Sequence, residues 1–278
     1  MTSDAADEWQ QWHERRMETV SAPYGPLALT GTHWLEDHPD GHLPGIPGVW
    51  VLDGDVDADA DADADADAGL VVLTASAADG LTLDGEPFTG SVRLGMDTGP
   101  VSTARVGLGE RRLTVLIREG AWCVRDYDPG SAAHRAFRGV EVTPYRPCWS
   151  VPGRFTPYDT RRTVRVDAAD GVERGLGLAG ELAFRLDGLE VTLQVAVQAD
   201  GKLWAVFADS TSGDGSYRFR FLYPAAPDEE GRTTVDFNRS VLPPCAFAEH
   251  FICPFPPPGN TLGLAIEAGE RILRQVGR

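Results

Sequence analysis

After Pro23 the chain never shows a helical period long enough to carry one strand back across a sheet. Parallel strands need crossover connections of a dozen or more residues, usually a helix, so the pattern argues against a parallel α/β sheet. What recurs instead is a series of short apolar or alternating runs divided by Gly, Asp and Pro. In the first half these are residues 49–51, 70–74, 81–83, 91–94, 104–106, 113–117 and 122–124; in the second, 163–166, 180–186, 191–199, 203–208, 216–223 and 233–237. The expected fold class is all-β, with antiparallel strands joined by turns. Asp84-Gly85 between two short runs predicts a hairpin, because both central positions of a tight type I′ turn need positive φ. In 216–223 the rings of Tyr217, Phe219, Phe221 and Tyr223 fall on one face and Arg218 and Arg220 on the other.

Residues 4–20 are the exception. Asp4 or Asp7 can cap a helix whose first turn is acidic, with Arg15 and Arg16 near its end. Trp9, Trp12 and Arg16 share one face and predict an aromatic edge that docks on the body. A break is expected between Ala136 and Trp149, where Pro144 and Pro147, with Pro152 soon after, interrupt the β pattern. The expected organisation is a helix over 1–20, a β-sandwich over 21–138, and an antiparallel sheet or barrel over 139–278. The last is closed by a loop rich in Pro and Cys.

The balance of 25 basic against 42 acidic residues gives a net charge of −17, and six of those charges lie in the Asp-Ala alternation from Asp57 to Ala68. Asp and Ala are poor strand formers, so this run is expected to be a solvated loop between two strands. A Ca²⁺ site there lacks the carbonyls and Gly turn that curl a chain around the ion. One lysine, Lys202, stands against 24 arginines; with the Asp excess, this is the bias expected of a salt-loving or very GC-rich organism. An acidic surface repels phosphate backbones, which argues against nucleic acid or an anionic membrane as partner. No apolar stretch approaches the roughly 18 residues of a membrane span. Residues 1–7 are acidic and polar rather than signal-like, so a cytoplasmic location with reduced cysteines is expected.

Several motifs carry a family resemblance. The segment from Phe207 through Asp209, Thr211 and Gly213, then Tyr217 and Arg220, then "DFNRSVLPPCAF", "CPFPPPGN" and "IEAGE" resemble one family of uncharacterised prokaryotic proteins, the domain of unknown function numbered 1684. "THWLE" and "VRDYDPGSAAHRAFRGVEVTPY" are similar to its other blocks, so the likeness spans most of the chain. The Asp-Ala run departs from the family pattern. The first half also resembles a forkhead-associated-type sandwich in strand and turn spacing, without a clear Arg/Ser pair for reading phosphothreonine. The family likeness implies no reaction.

The passage from Asp236 to Asn260 cannot be regular helix or central strand, since its prolines lack an N–H and fix φ. Chain held in one irregular shape is where binding groups tend to sit. If the strands ending at Asp209 and Asp236 are neighbours, their carboxylates converge with Arg220 and Arg239. Guanidinium forks there can hold a small anionic molecule. The expected ligand set is then Arg125, Asp209, Thr211, Tyr217, Arg220, Asn238, Arg239 and Asn260. The alternative for the same residues is a buried Asp–Arg network that fixes loop geometry. A hydrolase using Asp209, Asp236 or Glu270 as base or metal ligand is a second reading, and an interaction module built on the first sandwich is a third. Cys245, His250 and Cys253 can contribute to a zinc site only with a fourth ligand such as Cys148 or Glu249. His33, His38 and His42 sit in a Gly/Pro-rich loop read as solvated. Arg125-Asp126 reads as a salt bridge linking the two halves or as part of a cleft between them. No nucleophile elbow, phosphate-cradling loop or dinucleotide fingerprint is present, so the sequence names no cofactor.

Overall fold

Strand runs of period two organise both halves of the computed structural model, which describes residues 2–53, 70–118 and 120–276. The chain divides into two units: Ser21–Arg135, called here the first, and Met1–Val20 with Ala136–Arg278, the second. The first holds β1 (Leu29–Trp34), β2 (Val49–Asp53), β3 (Leu70–Ala75), β4 (Leu81–Leu83), β5 (Glu86–Pro87), β6 (Gly90–Leu94), β7 (Val106–Leu108), β8 (Arg111–Arg118) and β9 (Ala121–Tyr127). A six-stranded sheet runs β1-β9-β8-β7-β4-β5, and a second runs β2-β3-β6. Trp50 and Leu73 from one sheet meet Leu81, Leu113 and Val115 from the other in one core, which makes this unit a sandwich. Asp84 and Gly85 take φ of 52° and 89° and close the β4–β5 hairpin as the sequence predicts.

Strands β2 and β3 pair antiparallel with Asp53 opposite Leu70. The Asp-Ala run between them lies outside the described residues. Because the flanking strands are already in register, replacing residues 54–69 by a four-residue turn is expected to leave stability unchanged or raise it by about 1 kcal/mol, the closure entropy of the shorter loop. A thermal melt in high salt checks this; a fall of several degrees would show that the run packs against something.

The second unit begins with helix α1 (Thr2–Val20). Its strands are β10 (Phe137–Val142), β11 (Ser150–Asp167), β12 (Glu173–Leu186), β13 (Leu189–Val197), β14 (Leu203–Phe207), β15 (Arg220–Leu222), β16 (Arg232–Asp236) and β17 (Glu270–Gln275). They form a six-stranded sheet ordered β15-β14-β13-β12-β11-β16 and a β10–β17 pair. Strict alternation buries Leu176, Leu178, Leu182, Phe184 and Leu186 along β12, which fixes the register of the sheet. The sheet curls on itself: Phe207 at the end of β14, next to one edge, packs on Phe237 just past β16 at the other edge, ring centroids 5.6 Å apart. Among the described residues no helix is long and apolar enough to cross a membrane.

Strand β11 is longer than the sequence suggests, because Pro152 and Pro157 both lie inside it. Pro152 precedes the pairing with β12, which starts at Gly153, and Pro157 sits where the register shifts. Both are positions where a missing N–H costs little.

From Ser240 to Gly269 the chain forms no regular strand, yet its backbone is pinned along its length. Val241 pairs with Phe221, the Ala169 amide donates to the Cys253 carbonyl, Phe255 donates to Asp167, and Leu262 donates to Ala208. Asn260, fully buried, accepts from the Gln194 amide at 2.8 Å and donates to the carbonyls of Gln194 and Val206. The Pro/Cys passage is therefore a fitted cover, contributing Phe247, Leu262 and Ile266 to the interior.

Candidate functional site

The segment after β14 turns back at once, because Asp209 organises it. Its Oδ1 accepts from the Thr211 amide at 2.8 Å and the Thr211 hydroxyl at 2.7 Å, while its own amide donates to Ser212 Oγ. Its Oδ2 accepts from Arg220 at 2.6 Å, and both side chains are wholly inaccessible. Arg220 also donates to the carbonyls of Ile266 and Ala268, with its guanidinium 5.2 Å from the Phe207 ring centre. Gly269, which follows those carbonyls, has φ of 72°, and a Cβ there would come within 2.6 Å of the Ser240 carbonyl oxygen. Burial pushes the Asp209 carboxyl up, but Arg220 and the Thr211 hydrogen bonds outweigh it and leave it below the ordinary carboxylate range.

Asp236 belongs to a different network. Strands β13, β12 and β11 stand between β14 and β16, so the two acids do not end neighbouring strands. Asp236 Oδ1 accepts from the Asn238 amide and side chain, and Arg239 lies 3.4 Å from Oδ2. Asn238 exchanges two hydrogen bonds with the Arg146 backbone. The expected convergence of Asp209 and Asp236 with Arg220 and Arg239 is thus replaced by two separate networks that brace the cover. A guanidinium with four protein oxygens around it and no exposed surface is closed to an entering anion.

Helix α1 completes the second network. Trp9 donates to the Asn238 carbonyl at 2.8 Å, Trp12 packs on the apolar cluster that includes Phe219 and Phe221, and Arg16 meets Glu270 at 3.0 Å. These are the three residues the helical period places on one face. Glu270 is fully buried and also accepts from the Leu242 amide at 2.7 Å. In the first unit Asp126 is held by Arg111 and Thr30, and Arg125 Nε donates to Thr32. The ion pair of Asp126 is therefore internal to that unit, and Arg125 belongs to the same unit while the other expected ligand residues belong to the second.

No three His, Cys, Asp or Glu side chains gather as a metal would require among the described residues, so His250 does not join Cys245 and Cys253, and His33, His38 and His42 form no cluster. The two cysteines do meet. The Cys245 amide donates to Cys253 Sγ at 3.3 Å, and Tyr217 Oη lies 3.3 Å from the Cys245 carbonyl and 3.7 Å from its sulfur. Burial and the neighbouring Cys245 push the Tyr217 phenol up to about 12, so it stays a donor at neutral pH.

This corner opens on a groove of about 960 Å³ between the turn Cys245–Glu249 and β17, with Tyr217 in its wall and Glu141 and Arg274 paired at its rim. Arg218 stands beside it, exposed, over the rings of Tyr217, Phe219 and Phe255 at 5.7, 5.6 and 4.6 Å, and interacts with the Tyr217 phenol and Cys245 thiol. A second hollow of about 590 Å³ lies on the β11–β12–β13 face around Phe184 and Val191, with mostly apolar walls and only Arg154, Arg185 and Glu190 charged. Convergent polar groups mark a binding site better than apolar area alone, which favours the Cys245 groove. Alternation places Arg218 on the same face as Arg220 without singling it out, whereas in the structure Arg218 is exposed and Arg220 buried.

A family model described as "Protein of unknown function (DUF1684)" matches residues 135–271. An uncharacterized protein of Haloarcula marismortui, solved by solution NMR, is similar at 31% identity, covering 49% of this chain and 77% of that one with a TM-score of 0.41. No curated protein matches. The family match lies in the second half and leaves the forkhead-associated likeness of the first half without support.

Proposed function

Since the chain belongs to the DUF1684 family, whose description states no activity, function has to be argued from geometry, and we propose that the second unit binds a small anionic molecule in the Cys245–β17 groove. The observation that carries this reading is Arg218: an exposed guanidinium whose neighbours among the described residues are ring faces, a phenol and a thiol rather than a carboxylate. A cation so placed is oriented but not neutralised, and its fork suits a carboxylate or phosphate. Arg274 can add a second contact, because its pair with Glu141 is solvent-exposed and such pairs are held by about 1 kcal/mol or less. Tyr217 lines the same groove and adds a hydroxyl to its wall.

The hydrolase alternative has less support. Asp209 and Glu270 are buried in ion pairs, and Asp236 is engaged as a cap, so each expected base is already committed. The interaction-module alternative is weaker still, because Met96 is the first unit's only exposed large hydrophobic among the described residues.

The test is a thermal-shift screen with inorganic phosphate, nucleoside monophosphates and small dicarboxylates. A true ligand at about 100 times its Kd stabilises by about 2.7 kcal/mol, a shift of several degrees. Arg218→Ala is expected to abolish the shift while leaving the ligand-free Tm within about 2 °C, since the side chain is exposed. An undiminished shift in that variant, or no shift with any anion, sinks the reading.

A further inference from the structure

Two thiols meet at this groove: Cys245 lines it, and Cys253 Sγ accepts from the Cys245 amide directly behind it. All four cysteines of the chain carry thiols. Cys123 is sealed in the first unit, where burial pushes its thiol up, and Cys148 is exposed. Cys245 and Cys253 differ from both, because each is the other's neighbour, they sit in one cluster with Phe219 and Phe221, and Cys245 lines the groove. Cys253 is anchored, its carbonyl accepting from Ala169 at 2.8 Å, while Cys245 lies in the short helical turn Pro244–Ala246.

We propose that Cys245 and Cys253 are a dithiol oxidation site: a hydroperoxide entering the groove is reduced by Cys245, and Cys253 closes the disulfide. A hydrogen bond from Cys253 holds the Cys245 thiol below its ordinary value against the effect of burial, and Tyr217 and Arg218 reinforce it. The thiolate is the reactive form, and a cation with a hydroxyl donor beside it is the setting that favours it. In the first step the Cys245 thiolate attacks the terminal peroxide oxygen. An S–O bond forms, the O–O bond breaks, and the alkoxide departs with the electron pair and takes a proton from water. Cys245 is left as the sulfenic acid. In the second step the Cys253 sulfur attacks the Cys245 sulfur, the S–S bond forms and the S–O bond breaks. Hydroxide leaves with the Cys253 proton as water. Two electrons pass from the thiol pair to the peroxide, and an external dithiol reverses the bridge by exchange.

The inference rests on the groove described above as the route of approach, and not on the ligand proposed for it. The experiment uses the full chain, reduced, then exposed to a small molar excess of hydrogen peroxide and mapped by mass spectrometry without reduction. The expected result is a Cys245–Cys253 linked peptide with Cys123 still a thiol, the same in Cys148→Ser, which removes the exposed thiol as a source of intermolecular bridges. Before oxidation, Cys245 is expected to alkylate at least about tenfold faster than Cys123. Cys253→Ser is expected to stop at a Cys245 sulfenic acid that dimedone traps; if that variant does not fold, the wild-type map decides. Oxidation of Cys148 alone, or oxidation of Cys245 beyond sulfenic acid with Cys253 still a thiol in the wild type, overturns the proposal. A bridged pair in a protein that no anion stabilises keeps the oxidation site and removes only the ligand.

Discussion

Arg220→Ala is expected to destabilise the second unit by about 3–5 kcal/mol, the cost of leaving a buried charge without its partner. Asp209 would keep its Thr211 hydrogen bonds but lose the cation, and the Ala268 carbonyl would lose its guanidinium donor while that of Ile266 keeps only Arg271. Each unpaired buried acceptor costs about 1–3 kcal/mol, so the loss falls on β14, β15 and the end of the cover together. Against a total of about 5–15 kcal/mol for a domain, this approaches global unfolding. The pH dependence has a defined sign. Asp209 titrates below its unfolded value, so its contribution is fully present above about pH 4 and is lost as pH falls through the folded pKa. The gap between wild type and variant is therefore widest near neutrality and narrows below pH 4. Urea unfolding at pH 7 and pH 3, followed by tryptophan fluorescence, measures both. A variant that melts within about 2 °C of wild type would show that the pair contributes little and would return Arg220 to the list of binding residues.

The contrast between Arg218 and Arg220 shows where local pattern stops being informative. Period two was a good guide along β12 and β13, where one face is buried over many residues, and at Asp84-Gly85, where turn chemistry leaves one solution. It failed at Arg220 because β15 has only three residues and all are buried. Local sequence has no way to announce that Asp209 and two carbonyls about fifty positions away are waiting for a guanidinium. The alternative of a buried network was legible in the residue types; its identity as the arrangement adopted was not. Sheet order is equally silent in the chain: Asp209 and Asp236 both end strands, and only the topology reveals three strands between them. The N-terminal helix was legible as an element and as a face, since i, i+3 and i+7 spacing brings Trp9, Trp12 and Arg16 together. Their partners, Asn238 and Glu270, were not, because both lie more than 220 residues away.

Arg16→Met tests whether that helix is part of the structure or an accessory to it. Glu270 is fully buried, and its charged partner is Arg16, which is itself 22% exposed. Methionine keeps the apolar stem near Phe247 but leaves the carboxylate with the Leu242 amide as its remaining donor among these contacts. The expected loss is about 3 kcal/mol, the lower end for a buried charge deprived of its partner. Glu270→Gln alone should cost less, about 1 kcal/mol, because the stranded guanidinium reaches solvent. The double variant then restores part of the loss, with a coupling of about 1–2 kcal/mol of the sign that rescues. Additive losses, or an Arg16→Met variant within about 0.5 kcal/mol of wild type, would mean the pair is not what holds the helix. The site of failure also carries information. If the ion pair is the clasp of α1, limited proteolysis of Arg16→Met should cut first within residues 2–20, and the fluorescence of Trp9 and Trp12 should shift to the red before the sheet melts. If sheet and helix instead melt together, Glu270 is a keystone of β17 and the cover, and the helix is lost only because the surface it docks on has gone.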